Sequence, residues 1–217
     1  MTTSLAAYYA ARAAEYERIY DKPERQGDLA HLRSTIADYF SGCRVLEIAC
    51  GTGYWTAEMA TTAKSIVASD IGAEVLEVAK AKSLSPRAAV SFTVADAFDL
   101  RTVAGHFDAA FAGFWWSHVR RDRIDAFLKQ FHDRLERGAR VMILDNRYVE
   151  GSSTPISRID TNGNTFQMRR LSNGGSHEVL KNFPSPPEVR DRLAARAAAA
   201  LRIVEMQFYW YATYRVG

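Results

Sequence analysis

The stretch Val45-Leu46-Glu47-Ile48-Ala49-Cys50-Gly51-Thr52-Gly53 decides the fold of this chain. The branched apolar run from Arg44 to Ala49 predicts a short buried strand, and the glycines after it predict a tight turn into a helix that begins at Tyr54. Glycines in such a turn let a ligand approach the backbone closely. The helix N-terminus offers free N–H groups to a negative group. We therefore expect a ligand site at this turn.

The glycine spacing excludes two common phosphate-binding loops. A dinucleotide-binding loop would carry a third glycine where this chain has Thr56. A P-loop would continue with Gly-Lys-Ser/Thr, and the chain has no such run. The loop therefore favours a nucleoside cofactor without a pyrophosphate.

Apolar segments and amphipathic helices alternate around this turn. The further predicted strands are Ser65–Ser69, Val90–Val94, Phe107–Gly113 and Ala139–Leu144. The predicted helices are Leu5–Tyr20, Leu29–Phe40, Tyr54–Thr62, Ala73–Ala81 and Arg121–Arg137, the last capped by Gly138. This alternation predicts an α/β fold with parallel βαβ units in a doubly wound sheet, whose ligands bind beyond the carboxyl ends of the strands.

The alternation of predicted strands and helices is interrupted between residues 151 and 187, where Gly, Ser and Asn cluster. Two short strands, Thr165–Leu171 and His177–Lys181, are predicted to form a β-hairpin around the turn Asn173-Gly174-Gly175. We interpret residues 151–187 as an insertion on the acceptor side of the site. The aromatic tail from Leu201 to Val216 predicts a closing pair of strands.

Composition limits the function classes. The chain has 217 residues, 47% of them hydrophobic and 24% charged, which is typical of a globular protein. The length suits one large or two small domains, and we interpret residues 1–217 as a single domain. The net charge of +3 gives little support to nucleic-acid or membrane binding. Cys43 and Cys50 flank a strand, and there is no Cys/His cluster, so we expect neither a disulfide nor a metal site. The N-terminus has no apolar leader, and we expect a cytoplasmic protein, either a monomer or a homodimer.

Acidic residues follow the second and third predicted strands. Asp70 can accept both ribose hydroxyls of a nucleoside, although a helix N-cap is the alternative interpretation. Asp96 can accept from an adenine amino group while Phe98 covers the ring. A turn aspartate beside a core phenylalanine is the alternative there.

Together, the run E-x-x-C-G-T-G from Glu47 to Gly53 and the two later aspartates resemble the class I S-adenosylmethionine-dependent methyltransferases. The resemblance covers most of the chain, from the Tyr-rich first helix to the last two strands. It implies a seven-stranded, mainly parallel, Rossmann-like sheet with a reversed last strand, and S-adenosylmethionine as the methyl donor. It places Glu47 and Asp70 at the cofactor. The full set of residues that we expect at the cofactor is Arg12, Tyr16, Glu47, Ala49, Gly51, Gly53, Tyr54, Asp70, Ile71, Asp96, Ala97, Phe98 and Phe114.

The resemblance also suggests a lid over the cofactor. In similar enzymes the first helix folds over the cofactor, and residues 1–40 would then form N-terminal lid helices. Arg12 could meet the methionine carboxylate, and Tyr16 or Tyr20 could close the site, although simple helix packing would also explain the tyrosines.

The acceptor side is predicted to follow the fourth and fifth strands. His118 is the candidate general base because its ordinary pKa lies near neutrality, the alternative being a histidine that orients backbone or caps a helix. Of Trp115 and Trp116, one is expected to face the acceptor and the other to pack. Arg147 could bind an acceptor carboxylate or form an exposed salt bridge. Lys181, or Arg169, could reach inward from the hairpin.

These features predict methyl transfer to an oxygen or nitrogen of a small molecule, with release of S-adenosylhomocysteine. The family's amino-methylating enzymes carry an N/D/S-P-P-Y/F/W motif after the fourth strand, where this chain has Phe114-Trp115-Trp116-Ser117-His118. Its absence argues against base-amine acceptors, and we expect no nucleic-acid partner. An RNA or protein methyltransferase and a non-catalytic cofactor-binding scaffold are the alternatives.

Overall fold

Ten strands and five α-helices make up the computed structural model, which describes residues 13–170 and 174–217. The strands are β1 (Arg44–Ile48), β2 (Ser65–Asp70), β3 (Ala89–Val94), β4 (Phe107–Gly113), β5 (Leu135–Asn146), β6 (Ile156–Ile159), β7 (Thr165–Arg170), β8 (Ser176–Leu180), β9 (Ala197–Glu205) and β10 (Tyr209–Val216). The α-helices are α1 (Gln26–Tyr39), α2 (Tyr54–Met59), α3 (Ala73–Lys80), α4 (Ile124–His132) and α5 (Pro186–Ala194). Short 3₁₀ helices are Ala13–Tyr20, Pro23–Arg25, Trp116–His118 and Arg121–Arg123.

Seven of the strands form the central sheet, in the order β3-β2-β1-β4-β5-β10-β9. The first five of these strands are mutually parallel, and β10 runs antiparallel to both of its neighbours. The strand order reverses at β1, which pairs with β2 on one side and with β4 on the other. The predicted seven-stranded sheet with a reversed last strand is confirmed, and its switch point lies at the glycine loop.

Helices cover both faces of this sheet, because its strands alternate apolar side chains toward two cores. On one face α1 packs Leu29, Leu32 and Ile36, all fully buried, against Val45 of β1. On the other face α4 packs Phe127 and its neighbours against the opposite side of β1, β4 and β5. Because α1 belongs to the core, a lid within the predicted 1–40 segment is confined to the residues before it, where it stays a prediction.

The predicted helix Arg121–Arg137 is wrong at both ends. Residues 121–123 form a 3₁₀ turn, α4 ends at His132, and β5 already begins at Leu135, four residues before the predicted strand. The pairing of β5 with β4 shifts register between Phe107 and Ala109, which are opposite Leu135 and Arg140. Gly138, which was expected to cap the helix, lies inside this bulge with φ of +78°. Helical periodicity therefore continued past the end of the helix into the bulged strand.

The insertion is a three-stranded antiparallel sheet, β6-β7-β8, rather than a hairpin. The predicted strands correspond to β7 and β8, while β6 was missed because it has only four residues, three of them exposed. Part of the predicted turn, Asn173, lies outside the described residues. The described part of the first predicted helix, Ala13–Tyr20, is a 3₁₀ helix, and residues 1–12 lie outside the described range. Within the described residues, the helices are too short or too polar to cross a membrane.

Candidate active site

The glycine loop after β1 has a backbone that turns repeatedly through the left-handed region. Ala49, Gly51 and Gly53 have φ values of +50°, +55° and +77°. A Cβ added at Gly53 would lie 3.0 Å from Cβ of Ala79, so a side chain there would push against α3. A Cβ added at Gly51 would meet no described atom within 4 Å, which leaves open space beside this glycine. The loop thus packs closely on the protein at Gly53 and is open to a ligand at Gly51.

Asp70, at the end of β2, joins the glycine loop to the turn before α3. Its Oδ2 accepts a hydrogen bond from Gly51 N at 2.9 Å, and its Oδ1 accepts from Gly72 N at 2.9 Å. Burial raises the pKa of this carboxyl, and the backbone donors oppose that shift. The N-cap of α3 is Gly72, so Asp70 is not the helix cap that the alternative interpretation required. Each carboxylate oxygen keeps a second lone pair, with which Asp70 can accept a ligand hydroxyl.

Glu47 lies beneath the same loop and is almost fully buried. Thr56 Oγ1 donates to its Oε2 at 2.5 Å, so the side chain connects β1 to α2. Burial raises the pKa of Glu47 to about 8, with the charge of Asp70 as a further contribution. The carboxyl is therefore mostly protonated at neutral pH, and it stabilises the loop from below.

The residues predicted to hold an adenine follow β3. Asp96 Oδ1 accepts from Phe98 N at 2.9 Å and shapes a tight turn. Phe98 is half-buried, and the Arg123 guanidinium lies 5.0 Å from the centre of its ring. Ala97 is buried in the core, and Ile71 is half-buried beside Asp70. Asp70, the last residue of β2, and Asp96, just after β3, thus lie at the ends of adjacent parallel strands.

The 3₁₀ helix Ala13–Tyr20 contacts the glycine loop and the helix that follows it. Glu17 accepts from Thr52 Oγ1 at 2.7 Å and pairs with Lys82. The ring of Tyr20 stacks on Tyr54 with centroids 3.9 Å apart. The Tyr20 hydroxyl also accepts from Trp55 Nε1 at 3.1 Å. Arg12 and the side chain of Tyr16 lie outside the described part of the chain.

A cavity of about 310 Å³ lies between these elements and the three-stranded sheet. Phe114, which follows β4 with φ of +59°, projects into it, and Tyr20 borders it from the glycine-loop side. Its other described lining residues are Ile19, Lys22, Arg25, His118, Asn146, Ser152, Ser153, Thr154, Gln167, Met168, Arg169, Arg170, Lys181, Phe183 and Tyr209. The cavity is therefore bordered by Tyr20, which packs on the helix after the predicted cofactor loop, and is large enough for a small molecule.

Lys181 enters this cavity from the end of β8 and is held on a buried carboxylate. Its Nζ donates to Ser117 Oγ at 2.6 Å and lies 3.3 Å from Oδ1 of Asp145, which is fully buried. Ser117 N and Oγ both donate to Asp145 as well, at 2.8 and 2.9 Å. Burial lowers the pKa of Lys181 to about 8, although Asp145 opposes the shift. Lys181 and Arg169, either of which was predicted to reach inward from the hairpin, both line the cavity.

His118 also lines the cavity. Its Nδ1 lies 2.8 Å from the carbonyl oxygen of Leu180, which can only accept, so the ring proton sits on Nδ1. Burial, with the charges of Lys181 and Arg169 nearby, lowers the pKa of His118 well below its ordinary value. The imidazole is therefore neutral at physiological pH, with its lone pair at Nε2.

Three residues predicted on the acceptor side lie elsewhere. Trp115 and Trp116 are each 3% exposed and pack into the core beside α4, so neither of them faces the cavity. Phe114, which has a positive φ, lines the cavity in their place. Arg147 pairs with Glu205 at 3.4 Å and donates to the Met206 carbonyl, so it takes the salt-bridge alternative.

Sequence reasoning missed several cavity residues. Lys22 and Arg25 lie only a few residues past the first 3₁₀ helix, and both donate to Ser152, more than 120 positions later. No local sequence pattern indicates a contact between positions so far apart in the chain. Asp145 directly follows the predicted strand Ala139–Leu144, so it did carry the sequence signal that was used for Asp70.

Comparisons with known proteins agree with this geometry. A family model described as "Methyltransferase domain" matches residues 45–138. The magnesium-protoporphyrin O-methyltransferase of Rhodobacter capsulatus is 40% identical over 81 residues, a match that spans 36% of this chain and only 35% of that relative.

Among solved structures, the DhpI–SAH complex is 30% identical to this chain, with a TM-score of 0.77. The match covers 99% of this chain and 96% of the DhpI chain. DhpI has also been solved as a complex with SAM and HEP, at 29% identity and a TM-score of 0.77, over 97% of this chain and 95% of that one. The magnesium protoporphyrin IX methyltransferase from Synechocystis PCC 6803, with bound SAH, is 15% identical over the full length of both chains, with a TM-score of 0.69, and is similar in fold alone.

Proposed function

Because the chain belongs to the class I S-adenosylmethionine-dependent methyltransferases, we propose that it transfers a methyl group to an oxygen or nitrogen of a small molecule. The acceptor binds in the cavity beneath the three-stranded sheet. The observation that carries the proposal is that two residues of the cavity wall pack against the helix that follows the glycine loop. Tyr20 and Phe114 line the cavity, and both pack on α2, the helix that follows the loop.

The residues of the loop fit the cofactor. Asp70 is positioned to accept ribose hydroxyls, and the open space beside Gly51 lets the nucleoside approach the backbone. Asp96 and Phe98 follow the next strand, on the adenine side. S-adenosylmethionine supplies an activated methyl group together with its leaving group, so the protein's task is to position the acceptor and exclude water.

On the acceptor side, Phe114, Tyr20 and Tyr209 form an aromatic wall. His118 presents a neutral imidazole to the cavity. We assign to it the role of general base, which takes the proton from the hydroxyl or amino group that is methylated. The carbonyl of Leu180 fixes the ring orientation, and thereby couples the position of β8 to that of the base.

Binding of S-adenosylhomocysteine, measured by calorimetry, tests the cofactor half of this proposal. We expect Asp70→Ala to weaken binding by about tenfold or more, because a charge-assisted hydrogen bond to the ribose is lost. Asp133→Asn is the matched control, since Asp133 is an exposed partner of Lys129 far from the loop. A folded wild-type protein without affinity at millimolar ligand would defeat the proposal, and unchanged affinity in Asp70→Ala would place the ribose elsewhere.

Transfer itself is tested with tritiated donor and a panel of small hydroxyl and amine acceptors. Transfer to any of them supports the proposal. Binding of the cofactor without transfer to any small molecule, together with methylation of RNA or protein, would favour the macromolecular alternative.

A further inference from the structure

The walls of the acceptor cavity carry an excess of positive charge. Five of its described lining residues are basic, in addition to His118, and none is an aspartate or a glutamate. The basic residues are Lys22, Arg25, Arg169, Arg170 and Lys181. A chain with a net charge of only +3 therefore concentrates its cations at one small site.

Arg25 is the most buried of the four basic residues that do not pair with Asp145. It is 9% exposed, donates from Nη2 to Ser152 Oγ at 3.0 Å, and stacks over Phe208 at 5.1 Å. Among the described residues no carboxylate lies within 4.0 Å of it, and its buried Nε has no hydrogen-bond partner there. Buried guanidinium groups are normally paired with an anion.

Arg169, on β7, also lacks a paired carboxylate among the described residues. Its Nη2 donates to the neutral Gln167 side chain at 2.8 Å, while its Nε is buried without a hydrogen-bond partner in the described part of the chain. Both arginines lie close enough to Lys181 for their charges to oppose its protonation. Three cations therefore converge here against the single carboxylate of Asp145, which is also occupied by Ser117.

We infer that the methyl acceptor is a small anion whose negative group binds between Arg25, Arg169 and Lys181. The inference rests on the proposed function, because it names the substrate class of the same cavity. Planar arginine forks suit the oxygens of a carboxylate or of a tetrahedral oxyanion such as phosphate. With its charged end held there, the acceptor can present its other end to Phe114 and His118.

Calorimetry on the protein saturated with S-adenosylhomocysteine tests this inference. The probes are inorganic phosphate and acetate, titrated at constant ionic strength, with ethylene glycol as the neutral comparison. We expect at least one anion to bind and the diol not to bind. Phosphate alone would indicate a tetrahedral oxyanion, and acetate alone a carboxylate.

Arg169→Gln should weaken the anion that binds by about tenfold or more, because a buried charge-assisted hydrogen bond is lost. Arg158→Gln is the matched control, since Arg158 lies on β6 of the same sheet, pairs with Glu178 at 2.7 Å, and does not line the cavity. It should leave the affinity within about twofold. Thermal melting of both variants verifies folding, and because Arg169 is only half-buried its replacement leaves the core intact.

Three results would overturn the inference. The first is the absence of anion binding, and the second is equal binding by Arg169→Gln and wild type. The third is competition between the anion and S-adenosylhomocysteine, which would assign these cations to the cofactor's own carboxylate. Failure of the proposed function is distinguishable, because it would appear as loss of S-adenosylhomocysteine binding in the first step, before any anion is added.

Discussion

Glu47 should make the stability of this protein fall as the pH rises from 5 to 8. Its carboxyl has an ordinary pKa of 4.5 in the unfolded chain and a pKa of about 8 in the folded one, where burial disfavours the charge. Between these values the folded state holds a proton that the unfolded state has released. The stabilisation that this proton contributes is thus fully present below pH 4.5 and is lost as the pH rises through 8.

The magnitude follows from that interval. One pKa unit corresponds to about 1.36 kcal/mol, so the interval from 4.5 to about 8 amounts to ~5 kcal/mol at most. Between pH 5 and pH 8 the expected loss is about 3–4 kcal/mol. Glu47→Gln should abolish this loss, because the amide cannot ionise yet can still accept the hydrogen bond from Thr56.

The assay is urea unfolding at intervals from pH 5 to pH 8 for the wild type, Glu47→Gln and Glu77→Gln. Glu77 is exposed and pairs with Lys80 at 2.8 Å, so its replacement should leave the pH profile unchanged. Other groups, such as His132, whose pKa burial lowers to about 4, contribute equally to all three proteins. Parallel pH profiles for the wild type and Glu47→Gln would refute the reasoning.

Two further perturbations test the loop and the acceptor side. Gly53→Ala should reduce the free energy of unfolding by about 1–2 kcal/mol, because φ is +77° and the new Cβ would lie 3.0 Å from Ala79. Gly27 lies in α1, and a Cβ added there would have no atom within 4 Å, so Gly27→Ala should instead raise the free energy of unfolding by about 0.5–1 kcal/mol. Chemical denaturation compares the two variants, and equal effects would contradict the packing argument. His118→Ala should lower kcat by about 100-fold, leaving affinity for S-adenosylhomocysteine within about twofold. His106→Ala, at an exposed loop position, is the kinetic control, and an equal kcat in both variants would remove His118 from catalysis.

Local signals in the sequence were sufficient for the cofactor loop. The strand ending at Ile48, the glycines after it and Asp70 at the end of the next strand are each defined by short runs of residues, and the sheet then brings them together. The interpretation of Trp115 and Trp116 was wrong because both rings pack into the core beside α4, and Phe114, the residue before them, lines the cavity instead.

The acceptor side depends on contacts between distant parts of the chain. Lys181 is positioned by Ser117 and Asp145, from two other elements, and Arg25 is positioned by Ser152. Such pairings have no periodic signature. This explains why the sequence indicated the cofactor more sharply than the acceptor.

A crystal structure with S-adenosylhomocysteine tests the central claim most directly. It should show the ribose hydroxyls within hydrogen-bonding distance of the Asp70 carboxylate, with the adenine beside Asp96 and Phe98. A nucleoside bound anywhere else, with Asp70 contacting only Gly51 and Gly72, would contradict the account.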